Sequence, residues 1–179
     1  METVRADSPK PPIEPRSGIE VAETSLTTTD FIECYRFHYP RLVRALQLSG
    51  ADRASAEDLT QEAFGRALAS WRRICRGPNP PGYVYTTGFR LWQRSQRRQT
   101  PDLSIPPVAS PESMAVTTVA IEKALAAMPP RRRACAVMCL VVGLPVREAA
   151  GALGIADGTV RKHLEEARRD LRAACFPSG

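Results

Sequence analysis

Two groups of residues in this 179-residue chain have the types and spacing to bind a polyanion. Arg90, Arg94, Arg97 and Arg98 follow one another at helical spacing, which aligns their guanidinium groups along one side of a helix. Tyr83, Tyr85, Phe89 and Trp92 are interleaved with them, Arg72, Arg73 and Arg76 precede them, and no Asp or Glu occurs from Trp71 to Thr100. Arginines that hold phosphates, beside aromatic faces on which unstacked bases can lie, suit single-stranded or melting DNA. The second group lies in REAAGALGIADGTVRKHL, residues 147–164. A short helix with the small residues Ala149, Ala150 and Ala152, a glycine turn and a helix that turns Val160 and Leu164 inward read as a helix-turn-helix. Thr159, Arg161, Lys162, His163, Glu165 and Glu166 are then on or near the exposed side, where a recognition helix meets base edges. Arg and Lys pair with guanine O6 and N7, and Glu accepts from cytosine N4. Arg168, Arg169 and Arg172 suit phosphate.

Positioning these groups requires helices. Asp30 with Glu33 reads as a helix start, and Leu42, Val43 and Leu46 recur at helical spacing, which predicts a first helix, bent or restarted near Pro40, that ends around Gly50. Ser55 with Asp58 reads as a capping box, opening a second helix from about Ala56 to Arg73. Leu59, Ala63, Ala67 and Trp71 line its apolar side, with Phe64 and Leu68 beside them, and Glu57, Asp58, Gln61 and Glu62 are left free for a partner. Arg72 to Pro81 reads as a turn-rich loop, and Asn79 followed by Pro80 opens the arginine helix, which reaches about Arg98. Residues 100–117 are proline-rich without helical period and read as a linker. Beyond it, helices are predicted over Val119–Met128, Arg131–Val142, Val146–Leu153 and Gly158–Ala174. Residues 1–28 hold four prolines and no sustained apolar period, and read as a flexible tail. The expected fold is all-α, with two small helical domains over 29–99 and 118–175 joined by a flexible linker.

Composition narrows the function. Lys plus Arg is 25 against 19 Asp plus Glu, a net charge of +6, which favours a polyanionic partner. A hydrophobic fraction of 43% suffices for a core in each domain. The sequence shows neither an apolar run long enough for a membrane span nor a cleavable signal, so no membrane insertion and a cytoplasmic location are expected. Cys34, Cys75, Cys135, Cys139 and Cys175 lack a CxxC pairing and read as reduced thiols rather than metal ligands. With no P-loop, GxSxG or HExxH motif, no catalytic residue, metal or cofactor is expected.

The two halves together resemble the extracytoplasmic-function (ECF) group of bacterial sigma-70 factors over about Asp30 to Arg172. AEDLTQEAFGRAL is similar to the region 2 helix that docks on the beta-prime clamp helices of core RNA polymerase, which implies that role for Glu57, Asp58, Gln61 and Glu62. NPPGYVYTTGFRLWQRSQRR sits where the minus-10 recognition helix belongs. The resemblance implies minus-10 contacts from Arg72, Arg73, Arg76, Asn79, Phe89, Arg90, Trp92, Gln93, Arg94, Arg97 and Arg98, with the loop helping to capture a flipped base. The second half resembles region 4, which implies minus-35 contacts from Arg147, Thr159, Arg161, Lys162, His163, Glu165, Glu166, Arg168 and Arg169. It also implies partners: core RNA polymerase through the beta-prime clamp helices and beta flap, promoter DNA, and an anti-sigma factor. The chain departs from the family pattern at Arg90, where Asn is usual, at Glu166, where a basic residue is common, and at Ala149-Ala150, where Ile-Ala is usual. LGIADGTVRKHLE also resembles the LuxR-type helix-turn-helix of autonomous regulators, but such a regulator has no use for the acidic helix or the arginine and aromatic helix.

Overall fold

The computed structural model describes residues 18–98 and 116–175, with side chains over 30–97 and 119–175. The described residues form helices and turns only, in the two helical domains expected. The first domain contains α1 (Gly18–Leu48), α2 (Arg53–Ala69), the single-turn α3 (Trp71–Ile74) and α4 (Pro80–Arg98). The second contains α5 (Val116–Ala127), α6 (Pro130–Ala136) with a π-helical continuation over Val137–Val141, α7 (Val146–Leu153) and α8 (Asp157–Cys175).

Helix α1 begins well before Asp30. The helical stretch absorbs residues 18–28 of the expected tail, and Ile19, Ala22 and Leu26 have the helical spacing that the prolines further upstream obscure. Residues 1–17 and 99–115 lie outside the described residues, so of the expected linker over 100–117 only its last two residues are described, as the start of α5. Pro40 neither ends nor restarts α1. It removes one backbone donor from the ladder, and next to it the Arg41 side chain folds back, its guanidinium donating to the Phe37 carbonyl at 2.8 Å and stacking 3.4 Å above the Phe37 ring.

Helix α2 is capped one turn earlier than expected. Asp52, with extended backbone, accepts from the Ser55 amide at 2.9 Å, so Ser55 is inside the helix and not its cap. Hydrogen bonds from Ser55, its side-chain hydroxyl first and its amide second, hold the Asp52 carboxyl below its ordinary range. The helix ends at Ala69, and the chain makes the extra turn α3, which buries Trp71 and Ile74, inside the expected second helix and loop. The Phe31 ring meets Phe64 and Trp71 edge-on at 6.2 and 5.1 Å, clamping the start of the described part of α1 onto α2 and α3. Leu42, Leu46, Phe64, Val84 and Phe89 fill the middle of the first domain, and Leu125, Val137, Met138, Val160 and Leu164 that of the second. Each buried side chain of this size contributes about 1.5–3 kcal/mol. The buried apolar residues of both halves belong to one continuous cluster.

Candidate nucleic-acid and partner interfaces

Helix α4 starts as the sequence predicts. Asn79 Oδ1 accepts from the Gly82 amide at 2.9 Å, satisfying one of the four donors that a helix start leaves open. A side chain at residue 82 would drive its Cβ into the Asn79 side-chain amide, so glycine is what allows the cap. Further along, Gly88 lets α4 cross α1 closely, with the position of an added Cβ only 3.0 Å from Leu42 Cδ2. His38 Nδ1 lies 3.2 Å from the Tyr85 hydroxyl, tying the same two helices together. Burial, with the Arg41 charge, lowers the His38 pKa, and burial raises that of Tyr85.

The crossing sorts the residues of α4. Val84, Tyr85, Phe89, Leu91 and Trp92 face inward, and Tyr83, Arg90, Arg94 and Arg97 are exposed. Two expected stacking residues are therefore core residues: Phe89 is fully buried and Trp92 is 6% exposed. Their apolar area is worth more buried than in water. The aromatic that α4 does expose is Tyr83, at 39%; its place one helical turn from the cap, opposite Val84 and Tyr85, was the available signal. Arg72, Arg73 and Arg76 are exposed at the α3 turn, extending the basic surface. The Arg98 side chain lies outside the described residues. Gln93 is half-buried, and its side-chain amide donates to the Leu153 carbonyl at the end of α7.

On α2, Asp58, Gln61 and Glu62 are exposed and Glu57 is half-buried. Glu57 pairs with Arg53 at 2.9 Å and Glu62 with Arg66 at 2.6 Å, each one helical turn away. Such surface pairs are worth about 0.3–0.5 kcal/mol, little enough to be exchanged for a partner's cations.

In the second domain, Ala149, Ala150 and Ala152 are buried where α7 crosses α8, and Gly154, at φ 64°, closes α7 in the left-handed conformation. Val160, Leu164 and Ala167 bind α8 to this frame. Thr159, Arg161, Lys162, Glu165, Arg168 and Arg169 are exposed along α8, and Arg147 is exposed on α7. Glu166 is the exception. Arg132 of α6 reaches it at 2.8 Å and also bonds Asp170 at 2.8 Å, holding both carboxylates against the domain. The expectation that Glu166 faces a base is corrected by this ion pair, made by a residue far away in sequence. His163 is half-buried, with Nδ1 3.8 Å from Glu166.

Among the described residues no cluster of His, Cys, Asp and Glu fits a metal ion, and no helix is long and apolar enough to cross a membrane. Burial raises the thiol of Cys34 and that of Cys139, and pushes Cys135 up to about 11.

Comparison with known proteins gives the family of both halves. The profile of Sigma-70 region 2 matches residues 34–101, and that of Sigma-70 region 4 matches residues 118–171. The ECF RNA polymerase sigma factor EcfG of Rhodopseudomonas palustris is 31% identical over 144 residues, covering 75% of this chain and 78% of that protein. SigE of Mycolicibacterium smegmatis, also an ECF RNA polymerase sigma factor, is 30% identical over 154 residues, covering 78% of this chain; the chain spans 59% of that relative's length. The sigma factor RpoE of Bartonella quintana, solved with the anti-sigma factor NepR, superposes with a TM-score of 0.61 at 21% identity, covering 81% of this chain and 96% of that one. CnrH, solved with the cytosolic domain of CnrY, gives 0.55 at 17% identity, covering 85% and 91%. The two structures share the fold. The region 2 match takes in α2 and α4, which an autonomous helix-turn-helix regulator would leave unexplained, and with the relatives it establishes that the chain belongs to the ECF family of RNA polymerase sigma factors.

Proposed function

We propose that this chain, a member of a family of non-enzymatic, DNA-binding transcription initiation factors, binds core RNA polymerase through the exposed side of α2, opens promoter DNA at a minus-10 element through α3 and α4, and anchors a minus-35 element through α8. On α2 the contact residues are Glu57, Asp58, Gln61 and Glu62, directed at the beta-prime clamp helices. On α3 and α4, Arg72, Arg73, Arg76, Arg90, Arg94, Arg97 and Arg98 hold the backbone of the melted strand, and Tyr83 offers a stacking face. Asn79 serves first as the cap of α4, and Gln93 joins the DNA contacts when it is released from Leu153.

On α8, Arg161 and Lys162 carry base recognition, with Thr159 and Glu165 beside them, while Arg147, Arg168 and Arg169 meet phosphate. His163 is close enough to the groove to add a contact. The second domain also meets the beta flap, and an anti-sigma factor restrains the free protein. The observation that carries this reading is the surface of α3 and α4: its exposed arginines lie in a stretch from Trp71 to Thr100 that contains no acidic residue, in a chain that then continues into a helix-turn-helix.

The test is to mix the full chain with bacterial core RNA polymerase and follow co-elution by size exclusion at moderate salt, then promoter-dependent initiation by the complex. The double substitution Asp58→Ala and Gln61→Ala should weaken co-elution while circular dichroism shows an unchanged fold. DNA binding by the chain alone, with no association with core polymerase, would overturn the reading.

A further inference from the structure

Helix α8 carries four acidic residues beside its five basic ones, a poor balance for a helix that lies along a phosphate backbone. Two of the acids, Glu166 and Asp170, are four residues apart and are held by one residue of α6. Arg132 Nη2 lies 2.8 Å from Glu166 Oε2, and Arg132 Nη1 lies 2.8 Å from Asp170 Oδ2. The guanidinium carries its nitrogens in a rigid planar fork, the shape needed to serve two carboxylates at once. The Arg132 and Glu166 side chains are 25% and 27% exposed, so salt screens this pair less than the surface pairs of α2.

The neighbours of Glu166 on α8 decide what it would do without Arg132. Lys162 is four residues before it and Arg169 three residues after it, the spacings at which side chains on a helix meet. Both are exposed, and both belong to the proposed DNA contacts. Among the described residues, Glu166 pairs with Arg132 and lies 3.8 Å from His163 Nδ1, which leaves Lys162 and Arg169 to other partners. Asp170 differs: Glu166, Ala167, Ala173 and Ala174 occupy the corresponding positions around it, so it has no cation of α8 to take. Val160, Leu164 and Ala167 hold α8 in the domain by burial, and its position does not depend on Arg132 alone.

We propose that Arg132 is a positioning residue for minus-35 recognition: by holding Glu166 away from Lys162 and Arg169, it leaves both cations to the DNA. The inference rests on the proposed role of α8. Without Arg132, Glu166 neutralises one of the two, and the complex loses the counterion release of one cationic contact. That is about 8-fold in affinity at about 0.1 M salt and about 3-fold at about 0.3 M.

The test uses the full chain in complex with core polymerase, and the probe is the duplex that the parent complex selects from DNA randomised over the minus-35 region. Dissociation constants are read at the two salt concentrations, with circular dichroism of each chain as the check on folding. Arg132→Gln should weaken binding by the amounts given. Adding Glu166→Gln, which leaves neither partner charged, should return affinity to within about 2-fold of the parent, whereas adding Asp170→Asn instead should leave the loss in place. Parental affinity for Arg132→Gln, a loss that Glu166→Gln does not repair, or a repair by Asp170→Asn would each overturn the inference. A loss of the same size at both salt concentrations would also overturn it, because a charge effect is screened. Should Arg132→Gln alone fail to fold, the double variant Arg132→Gln, Glu166→Gln still decides: near-parental affinity supports the inference, and a loss means that Arg132 acts by direct contact or as a tether. Arg169→Ala is the control for the role of α8. If it leaves affinity unchanged, that role and this inference fall together; if it weakens binding and Arg132→Gln does not, only the inference falls.

Discussion

The close crossing of α4 over α1 gives a prediction whose sign depends on background. Gly88 sits where an added Cβ would be 3.0 and 3.1 Å from the two methyl carbons of Leu42, and Leu42 is fully buried. Gly88→Ala should therefore cost about 1–3 kcal/mol in overpacking, offset by about 1 kcal/mol because alanine is the better helix former. The net result is a loss of about 0–2 kcal/mol. Leu42→Ala alone removes the obstructing methyls and leaves a cavity, at a cost of about 2.7–5 kcal/mol. In that background a methyl added at position 88 meets empty space, and alanine keeps its helix preference. Gly88→Ala should then stabilise the Leu42→Ala chain by about 1 kcal/mol. Urea unfolding of the four chains, followed by circular dichroism, closes the double-mutant cycle, with an expected coupling of about 1–3 kcal/mol. Additive behaviour, with Gly88→Ala equally destabilising in both backgrounds, would refute the claim that Leu42 sets the distance between α1 and α4.

The remaining predictions concern the DNA surface, a helix cap and the thiols. Arg161→Ala should cost about 1–3 kcal/mol at one position of the minus-35 element, whereas Arg169→Ala should weaken binding to all sequences and reduce the salt slope by about 1; titrations of the polymerase complex at several salt concentrations separate the two. The Asp52 carboxyl is held below its ordinary range by its cap bonds, so its contribution to stability is present above the unfolded-state value, about 3.9, and is lost as pH falls through the lower folded-state value. Asp52→Asn keeps a capping oxygen but cannot titrate, so thermal melts between neutral and acid pH should show a flatter decline. Cys135, with its thiol at about 11, should be alkylated by iodoacetamide at neutral pH only after the chain is unfolded, as mass spectrometry of labelled peptides would show.

The helix-turn-helix was readable in sequence because its determinants are local: three alanines that permit a close crossing, Gly154 at the one turn that needs a left-handed residue, and Val160 with Leu164 four apart. Asn79 was readable for the same reason, since its cap partner is three residues away. Misplacing the start of α2 came from two competing local patterns; Ser55 with Asp58 and Asp52 with Ser55 both satisfy the spacing of a cap, and only backbone geometry chooses between them. Phe89 and Trp92 alternate with arginines in a way that suits both base stacking and an amphipathic core face, and their burial decides for the core. The diversion of Glu166 to Arg132, like the meeting of Gln93 with Leu153, joins residues far apart in sequence, where periodicity carries no information.

The π-helical stretch after α6 bears on how this chain can tolerate changes in length. The Val142 amide bonds to the Val137 carbonyl at 2.9 Å, five residues back, so this turn holds one residue more than an α-helical turn would. Met138 is buried there, while Leu140 and Val141 are 37% and 53% exposed on the widened side. Removing a single residue at Leu140 would let the ladder close as an ordinary α-helix, with the flanking residues of α6 and α7 keeping their faces. A deletion of one residue inside α8 would instead rotate everything after it by about 100° and carry Arg168 and Arg169 off the DNA side. Length variants of this domain that still fold and bind should therefore be concentrated at this one turn.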